Sequence, residues 1–571
     1  MGVKAATFQS GGQATQHYLP GAYSRLDYIK GSGGLVSINN AMLMGDCRGG
    51  KPNTIMWFGS ATAASETLKA GKLLDAVKHA FSPGGGYVPQ KIAAWRVNAG
   101  TQSQHDYKES TNEMIECKAK DYGLHTNQIK TKLETGTTGK KVTIKYMNND
   151  AEVWDNVLKQ SFKMMYAGAG SDCMLVVSKT SLATTCTGAG TDDLTMLFSV
   201  FETIEEMVNY INDQTNYTAS ILTPNPQDPS TELDSLASHD IKDPDEETLL
   251  SSLQALIDVL NESAWVEANY FAAAATRAVP DIETSWVYFT GAVDGTYDET
   301  AWGVSLALIE QENIQFFGTS SEDAAIHLLI KAHCEKMNST AGKNECQFVV
   351  GGAAGESVAQ VVVRAKNITS DAGMLKSPGF KHYDFNDLTK TKTWSPAYYA
   401  AKTLGLLVCL SIQEPITNKE VDVLDWEKHY TIVEVETLIQ AGVSVGFMKR
   451  SGRLVNARGV TTYQGQMLQR NEFSMMRIAL FASKDLREAV ERTFVGKAMS
   501  NTLLGRVDAI AVGKLSLYAD MGIFNGNPPY WGYRKTITGD VIKIDYDANI
   551  TPPTNFLFIT SHMHVYASTS V

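Results

Sequence analysis

Cysteine is scarce in this 571-residue sequence, and long apolar runs are missing. The seven cysteines, Cys47, Cys117, Cys173, Cys186, Cys334, Cys346 and Cys409, are an odd set without paired spacing. That argues against a disulfide framework and fits a reducing cytoplasm. No Cys or His set has the spacing of a zinc site. The longest apolar stretch, around Leu404 to Ile412, falls short of the ~20 residues that span a bilayer. The opening MGVKAATFQSGG has no apolar core of a signal peptide. The expectation is a soluble protein, made in a cytoplasm and not inserted in a membrane.

Recognisable chemistry is also absent. GGAAGES (351–357) lacks the lysine that a phosphate loop needs to reach the β- and γ-phosphates, and reads as a tight strand-to-helix turn. GSGG (31–34) lacks the third glycine and following helix of a dinucleotide site, and reads as a hinge. HLLIKAH (327–333) is an apolar helix face, not a zinc helix, and His333 and Cys334 point different ways on it. His562 and His564 share a strand face, but a third ligand and an orienting carboxylate are missing nearby, so strand packing is the better reading. The letters of a Gly-x-Ser-x-Gly motif occur at 442–446 (GVSVG), but at the start of the stretch that reads as a hairpin and not on a strand-to-helix elbow, and no paired carboxylates stand out. The densest basic run, Lys449, Arg450, Arg453 and Arg458, has no interleaved aromatics, which speaks against nucleic-acid binding. No catalytic, cofactor or metal residue is singled out, and the chain is expected not to be an enzyme.

What is present is an ordinary globular balance, 43% hydrophobic and 20% charged. The chain is too long for one core and suggests three or four domains. The net charge of −12 is uneven: residues 441–571 hold fifteen Lys and Arg against nine Asp and Glu. A basic end suits an acidic partner.

The pattern divides the chain into seven segments. Residues 1–20, rich in Gly, Gln, Ser and Thr, read as an extended arm. Residues 21–103 read as an α+β domain. It holds strands in LVSINNAMLMGDC and TIMWFGS and a helix over 65–81, with Ser65 as cap and Leu68, Leu73, Leu74, Val77 and Phe81 on one face. Residues 104–222 change to short alternating runs, including a hairpin over 129–146 and the strand MLVVS (174–178), and suggest a β-rich insertion. Residues 223–284 form an acidic linker and a helix started by Asp243-Pro244-Asp245-Glu246-Glu247, whose buried face is Leu249, Leu253, Leu256, Ile257 and Leu260. From 285 to 430 the strands SWVYFTG, IQFFGTS and ECQFVVGG alternate with helices over 299–310, 322–337 and 357–365. That alternation implies a mostly parallel sheet covered on both faces. Residues 431–554 hold a hairpin (443–463), two long amphipathic helices (474–499 and 502–521) and the strand DVIKIDYD (540–547). Residues 555–571 carry a final alternating strand, NFLFITSHMHVYAS. The fold class is α/β and multidomain.

Several segments resemble the contractile-tail sheath family. GGKPNTIMWFGSATAASETLKAGKLLDAVKHAF (49–81) is similar to its N-terminal globular piece, and YGLHTNQIKTKLETGTTGKKVTI (122–144) to the start of its β-sandwich insertion. TGAVDG (290–295) sits where the family has a glycine-rich turn opening its central domain, with Ala292 and Asp294 making it a looser copy. The densest resemblance is C-terminal: VNARGVTTY (455–463), NEFSMMRI (471–478), DLREAVERTFVGKAMSNT (485–502), NPPYWGY (527–533), GDVIKIDYD (539–547) and NFLFITSHMHVY (555–566), in that order.

The resemblance implies a central domain that is subtilisin-like in fold but carries no triad, a β-sandwich outer insertion, an α+β C-terminal domain facing an inner tube, and extended terminal arms exchanged with neighbours. It implies a structural subunit of a helical sheath, stacked in rings around the inner tail tube protein and bounded by baseplate and tail terminator proteins. Such a sheath contracts to drive the tube through a host envelope for genome ejection. It belongs to a virion tail and is assembled in the cytoplasm of a bacterial host. Strand exchange between subunits is expected through Phe8 and Tyr18 at the front and Phe556, Phe558, His562, His564 and Tyr566 at the end. Arg506 and Lys514 are the expected tube-facing cations. Alternatives are the sheath of a genome-free injection particle, a hydrolase on the central α/β domain, and another assembly protein such as a tail tube or a capsid.

Overall fold

The computed structural model describes residues 39–188 and 192–563, and the backbone of 6–10 and 13–17. It divides into two units. One contains Asn39–Leu410, Pro415–Phe473 and the chain from Asn555; the other contains Ser411–Glu414 and Ser474–Thr554, together with the first 38 residues.

The first unit is built on an eight-stranded sheet. Its order is Leu454–Asn456, Val443–Met448, Gly373–Ser377, Gln347–Gly351, Phe316–Thr319, Ala41–Gly45, Ile92–Arg96 and Ile55–Phe58. The six inner strands run parallel, and the two edge strands are antiparallel. Every residue of Ala41–Gly45, Ile92–Arg96, Phe316–Thr319 and Gln347–Gly351 is buried. Strands covered on both faces read as continuous apolar runs, as these do.

Alternation along each strand sends neighbours to opposite layers. Leu43, Phe316, Val349 and Met374 pack with helices Lys72–Ala80 and Pro396–Cys409. Met42, Met44, Phe317, Phe348 and Val350 pack on the other side with helices Glu299–Leu308, Ala324–Met337, Val358–Ile368 and Ile432–Gln440. Helix Pro396–Cys409 buries twelve of its fourteen residues. Gly405 lets it approach the preceding layer: a β-carbon there would lie 1.9 Å from the Ala80 carbonyl oxygen.

This sheet corrects three expected boundaries. Residues 21–103, 285–430 and the start of 431–554 are not separate domains, because Ala41–Gly45 pairs with Phe316–Thr319 and Val443–Met448 with Gly373–Ser377. Parallel pairing here joins residues 275 apart (Ala41 and Phe316) and 68 apart (Leu375 and Val443), and local pattern carries no sign of it. The expected helix over 65–81 is two helices, Ala61–Leu68 and Lys72–Ala80, with Ser60 as the cap. Lys69 and Gly71, at φ of 60° and 123°, break it.

Residues between 104 and 290 form two β-rich cores. In one, the hairpin Ile129–Thr135/Lys140–Tyr146 forms as expected, with Ile129 opposite Tyr146. It lies in a four-stranded sheet between Glu152–Val157 and Glu283–Tyr288. The strand expected from SWVYFTG therefore belongs here and not to the parallel sheet. A three-stranded sheet (Val266–Tyr270, Asn112–Ala119, Gln104–Glu109) and helix Ser252–Glu262 complete this core. The other core joins the order Thr195–Leu197, Ser181–Cys186, Cys173–Val177, Leu236–Asp240 to a smaller sheet and helix Ile204–Asn212.

The acidic stretch is not a linker. Leu236–Asp240 and Glu247–Leu250 are strands. The helix starts at Ser252, not at Asp243, because Asp234 accepts from the Ser252 and Leu253 amides (2.7 and 3.1 Å) and supplies the cap from outside. Cys173 and Cys186, opposite each other on paired strands, are joined, contrary to the expectation from spacing. Thirteen residues apart, they meet because a hairpin folds them together.

Candidate assembly interface

The second unit has helices Phe473–Phe494, which begins one residue inside the first unit, and Asn501–Asp520. Beyond them lies the antiparallel ribbon Tyr530–Thr538/Val541–Ala548. Its core is small: Ile412, Ile478, Phe481, Leu515, Tyr518, Ile523 and Phe524. Alternation makes the ribbon (Trp-Gly-Tyr-Arg-Lys, Val-Ile-Lys-Ile), and a two-residue turn at Gly539-Asp540 sets its register, with Thr538 opposite Val541.

Polar side chains tie the ribbon to its own helix. Tyr533 Oη and Lys535 Nζ donate to Asp508 (2.7 and 2.6 Å), and Lys535 also donates to the Leu504 carbonyl (2.9 Å). These donors hold the Asp508 carboxyl below its usual range. Among the described residues neither edge of the ribbon has a further strand. Trp531, Ile537 and Val541 are exposed on it. A lone two-stranded ribbon is marginal in water, and its free amide and carbonyl rows are a template for another strand.

The chain's last described stretch is the converse. Residues 551–563 carry neither helix nor strand, yet Phe556, Leu557, Phe558 and Ile559 are all exposed, Phe558 by 91%. The expected strand over 555–568 therefore has no ladder within the chain over its described part. Four consecutive large apolar residues in water are a signature of an interface.

The root of this stretch is fixed within the first unit. Glu472 is buried, and its Oε1 accepts from Arg458 Nε (2.7 Å), from Arg458 Nη2 at close range, and from Asn555 Nδ2 (2.9 Å). The Arg458 guanidinium also lies 5.5 Å from the Phe556 ring. Burial raises the Glu472 carboxyl, and Arg458 opposes that shift. Sequence reasoning singled out none of these three as a site. Their signal is that each lies in one of the C-terminal family-like motifs, which meet here in space.

Of the other predicted residues, Phe8 falls in Ala6–Ser10, whose backbone pairs antiparallel with Gln13–His17. The described parts of the arm are thus two strands paired with each other and not a single extended segment. Tyr18, His564 and Tyr566 lie outside the described residues, and His562 is exposed. Arg506 is exposed on helix Asn501–Asp520. Lys514 is not a free surface cation: its ammonium sits on the buried Asp485 carboxylate at 2.8 Å with its side chain 12% exposed. Tyr518 Oη donates to the same carboxylate (2.6 Å). Among the described residues no cluster of three or more His, Cys, Asp or Glu is placed to hold a metal ion, and no helix is long and apolar enough to cross a membrane.

Residues 295–462 match the family model described as phage tail sheath protein central domain. Over that segment the chain is similar to the phage tail sheath family. The matched segment supplies five of the eight strands of the parallel sheet, and the other three come from residues 41–96, outside it. A tail sheath protein of Bacillus phage SP01 is 26% identical over 570 residues, covering 95% of each chain. Two solved sheath tail proteins share the fold. One, from Desulfitobacterium hafniense, has a TM-score of 0.51 at 13% identity, covering 92% of this chain and 98% of that one. The other, from Listeria innocua, has a TM-score of 0.54 at 11% identity, covering 89% and 92%. The likeness reaches across the sheath chain and is not confined to its central domain.

Proposed function

We propose that this protein is the structural subunit of a contractile phage tail sheath, linked to its neighbours by exchanged terminal strands. One observation carries the reading: among the described residues the same chain holds a ribbon with open edges and an exposed apolar stretch near its end without a ladder. In this reading residues 555–571 of one copy, with Phe556, Phe558, His562, His564 and Tyr566, add to the ribbon edge of the next. The front arm, with Phe8 and Tyr18, adds to another edge. Main-chain bonds give affinity, and alternate side chains set the register. About six ladder bonds at ~0.5–1.5 kcal/mol each give several kcal/mol per link, repeated along the tube. Donor and acceptor are different surfaces, so the contact is heterologous and propagates as a helix.

The clamp at Glu472 fits this role, because it keeps the donated segment rooted while subunits rearrange. Contraction is then a switch between two packings with energy stored at assembly, and no step asks the subunit for catalysis. The inner tube, the baseplate and the tail terminator are the partners of this reading, and the virion tail is its place. The central sheet is read as subtilisin-like in fold only, since a shared fold brings no triad with it.

The test is negative-stain electron microscopy of the purified chain. Long hollow tubes of uniform width, lost on deletion of 555–571, are the expected result. A dispersed monomer across salt conditions would refute the reading.

A further inference from the structure

The segment from 104 to 290 is acidic, with 29 Asp and Glu against 13 Lys and Arg. With carboxylates in such excess each cation has partners available; four of the thirteen pair with a carboxylate and four more donate to neutral oxygens. Lys108, Lys118, Lys159 and Lys163 form ion pairs. Lys120, Lys179 and Lys242 donate to backbone carbonyls, and Arg277 donates to Gln254. The remaining five, Lys130, Lys132, Lys140, Lys141 and Lys145, all lie on the hairpin Ile129–Thr135/Lys140–Tyr146. None of them forms an ion pair among the described residues.

Register makes this arrangement costly. Lys130 stands directly opposite Lys145, and Lys132 and Lys141 lie on the same sheet face. Like charges in cross-strand pairs destabilise a sheet. The neighbouring edge strand adds exposed Trp286 and Tyr288. Lys130 Nζ lies 4.9 Å from the Trp286 ring and 5.4 Å from the Tyr288 ring, and Lys132 Nζ lies 5.0 Å from Trp286. The inner face of the same sheet is ordinary core, with Ile129, Leu133, Val142 and Ile144 buried. Lys130, Lys132, Lys141 and Lys145 therefore share the outer face, where Glu134 stands opposite Lys141, while Lys140, at the end of its strand, belongs to the other face.

We propose that this lysine and aromatic face docks on a second copy of the chain, against the turn carrying Asp243, Asp245 and Glu246. That turn has the densest run of exposed acids in the segment, and Asp243 and Asp245 form no ion pair among the described residues. Charge complementarity selects this occupant. The inference rests on the sheath reading, which places neighbouring copies at high local concentration and lets weak contacts count. Face and turn are different surfaces, so this contact too propagates head to tail. Being exposed and ionic, it weakens with salt.

The test uses the full chain in four forms: unaltered, K130E/K132E/K145E, D243K/D245K, and the combination of both sets. Assembly threshold is followed by light scattering and microscopy at low and high salt, with thermal melting as a check on folding. Each reversed set is expected to raise the low-salt threshold about ten-fold without changing the melting curve, and the combination to restore it. Equal thresholds for all four forms overturn this inference and leave the sheath reading standing. Loss of tubes from the unaltered chain overturns both. Weakening by the lysine set without rescue by the combination assigns the face to a different polyanion, read out as retention of unaltered protein on immobilised polyglutamate, and overturns the second copy as its occupant.

Discussion

The central sheet and the C-terminal ribbon handle the same backbone chemistry in opposite ways. The eight-stranded sheet is covered on both faces, and its parallel strands are flanked at each edge by an antiparallel one. Within the sheet a strand's polar groups are matched by its neighbours and its side chains are enclosed. The ribbon has two strands, a few polar ties to one helix, and exposed Trp531, Ile537 and Val541. One region is enclosed within the chain, and the other has both edges open among the described residues. Stability should therefore reside in the first and assembly in the second, so mutations in the two regions should separate these properties.

The largest expected effect breaks assembly alone. Deleting 556–571 removes the exposed apolar residues Phe556, Leu557, Phe558 and Ile559 but keeps Asn555 on the buried Glu472 carboxylate, so tubes should be lost while the melting temperature of the dispersed chain stays unchanged. Microscopy and calorimetry on the same preparation check both halves. The opposite change is Leu404→Ala in the fully buried helix Pro396–Cys409. It should cost about 3 kcal/mol or more, visible as a lower midpoint in denaturant. Variants that fold should still form tubes. A deletion that also lowered the melting temperature would erase the distinction between the two regions.

The sequence carried much of this contrast, but unequally. Helices and strands between 299 and 368 fall where periodicity places them, because each packs one face on a local partner. The hairpin over 129–146 was also readable, since a short turn ties its strands together, whereas of the ribbon only the strand over 540–547 was read from the pattern. What stayed hidden depends on distance along the chain: the pairing of Ala41–Gly45 with Phe316–Thr319, the cap that Asp234 gives to a helix eighteen residues on, and the meeting of Arg458, Glu472 and Asn555. Lys514 was misread for the same reason, since its partner Asp485 is on a different helix and a lysine on an amphipathic helix looks like surface. The sequence reading singled out Phe556 and Phe558 of the terminal segment, and the strand exchange proposed for them is a matter between chains that one chain's pattern does not carry.

Acid sharpens the comparison. Burial holds the imidazoles of His327 and His333 down at about 4, and His79, enclosed by aromatic rings, is pushed well below its ordinary value. All three lie in the first unit. His327 Nε2–H donates to the Ser321 carbonyl (3.0 Å), which suits the neutral ring. Each of these groups binds a proton more readily when unfolded. Their contribution is complete above the ordinary value near 6.5 and is lost as pH falls from there toward 4. For His327 the loss amounts to about 3 kcal/mol by pH 4. Urea midpoints measured from pH 7 to 4 should fall steeply, and His327→Gln should flatten the curve. If the slope is the same without His327, its burial is not the cause.

The smallest contrast is between two cations on one helix. Arg506→Ala removes an exposed side chain and should change stability by no more than about 0.5 kcal/mol. Lys514→Ala strips an ammonium from the buried Asp485 carboxylate and should cost about 3 kcal/mol, although both residues lie on helix Asn501–Asp520. Asp485→Asn in the Lys514→Ala background removes the charge that Lys514 faced and should recover part of the loss. A full recovery would mean that the pair adds little beyond cancelling its own burial, and none would mean that Lys514 acts through packing of its stem. Tube formation discriminates further. If Arg506 contacts an inner tube, its loss leaves sheath tubes unchanged when the chain assembles alone and weakens only their assembly around that tube. The Lys514 change acts instead on the small core beneath the ribbon, and so on every tube the chain can make.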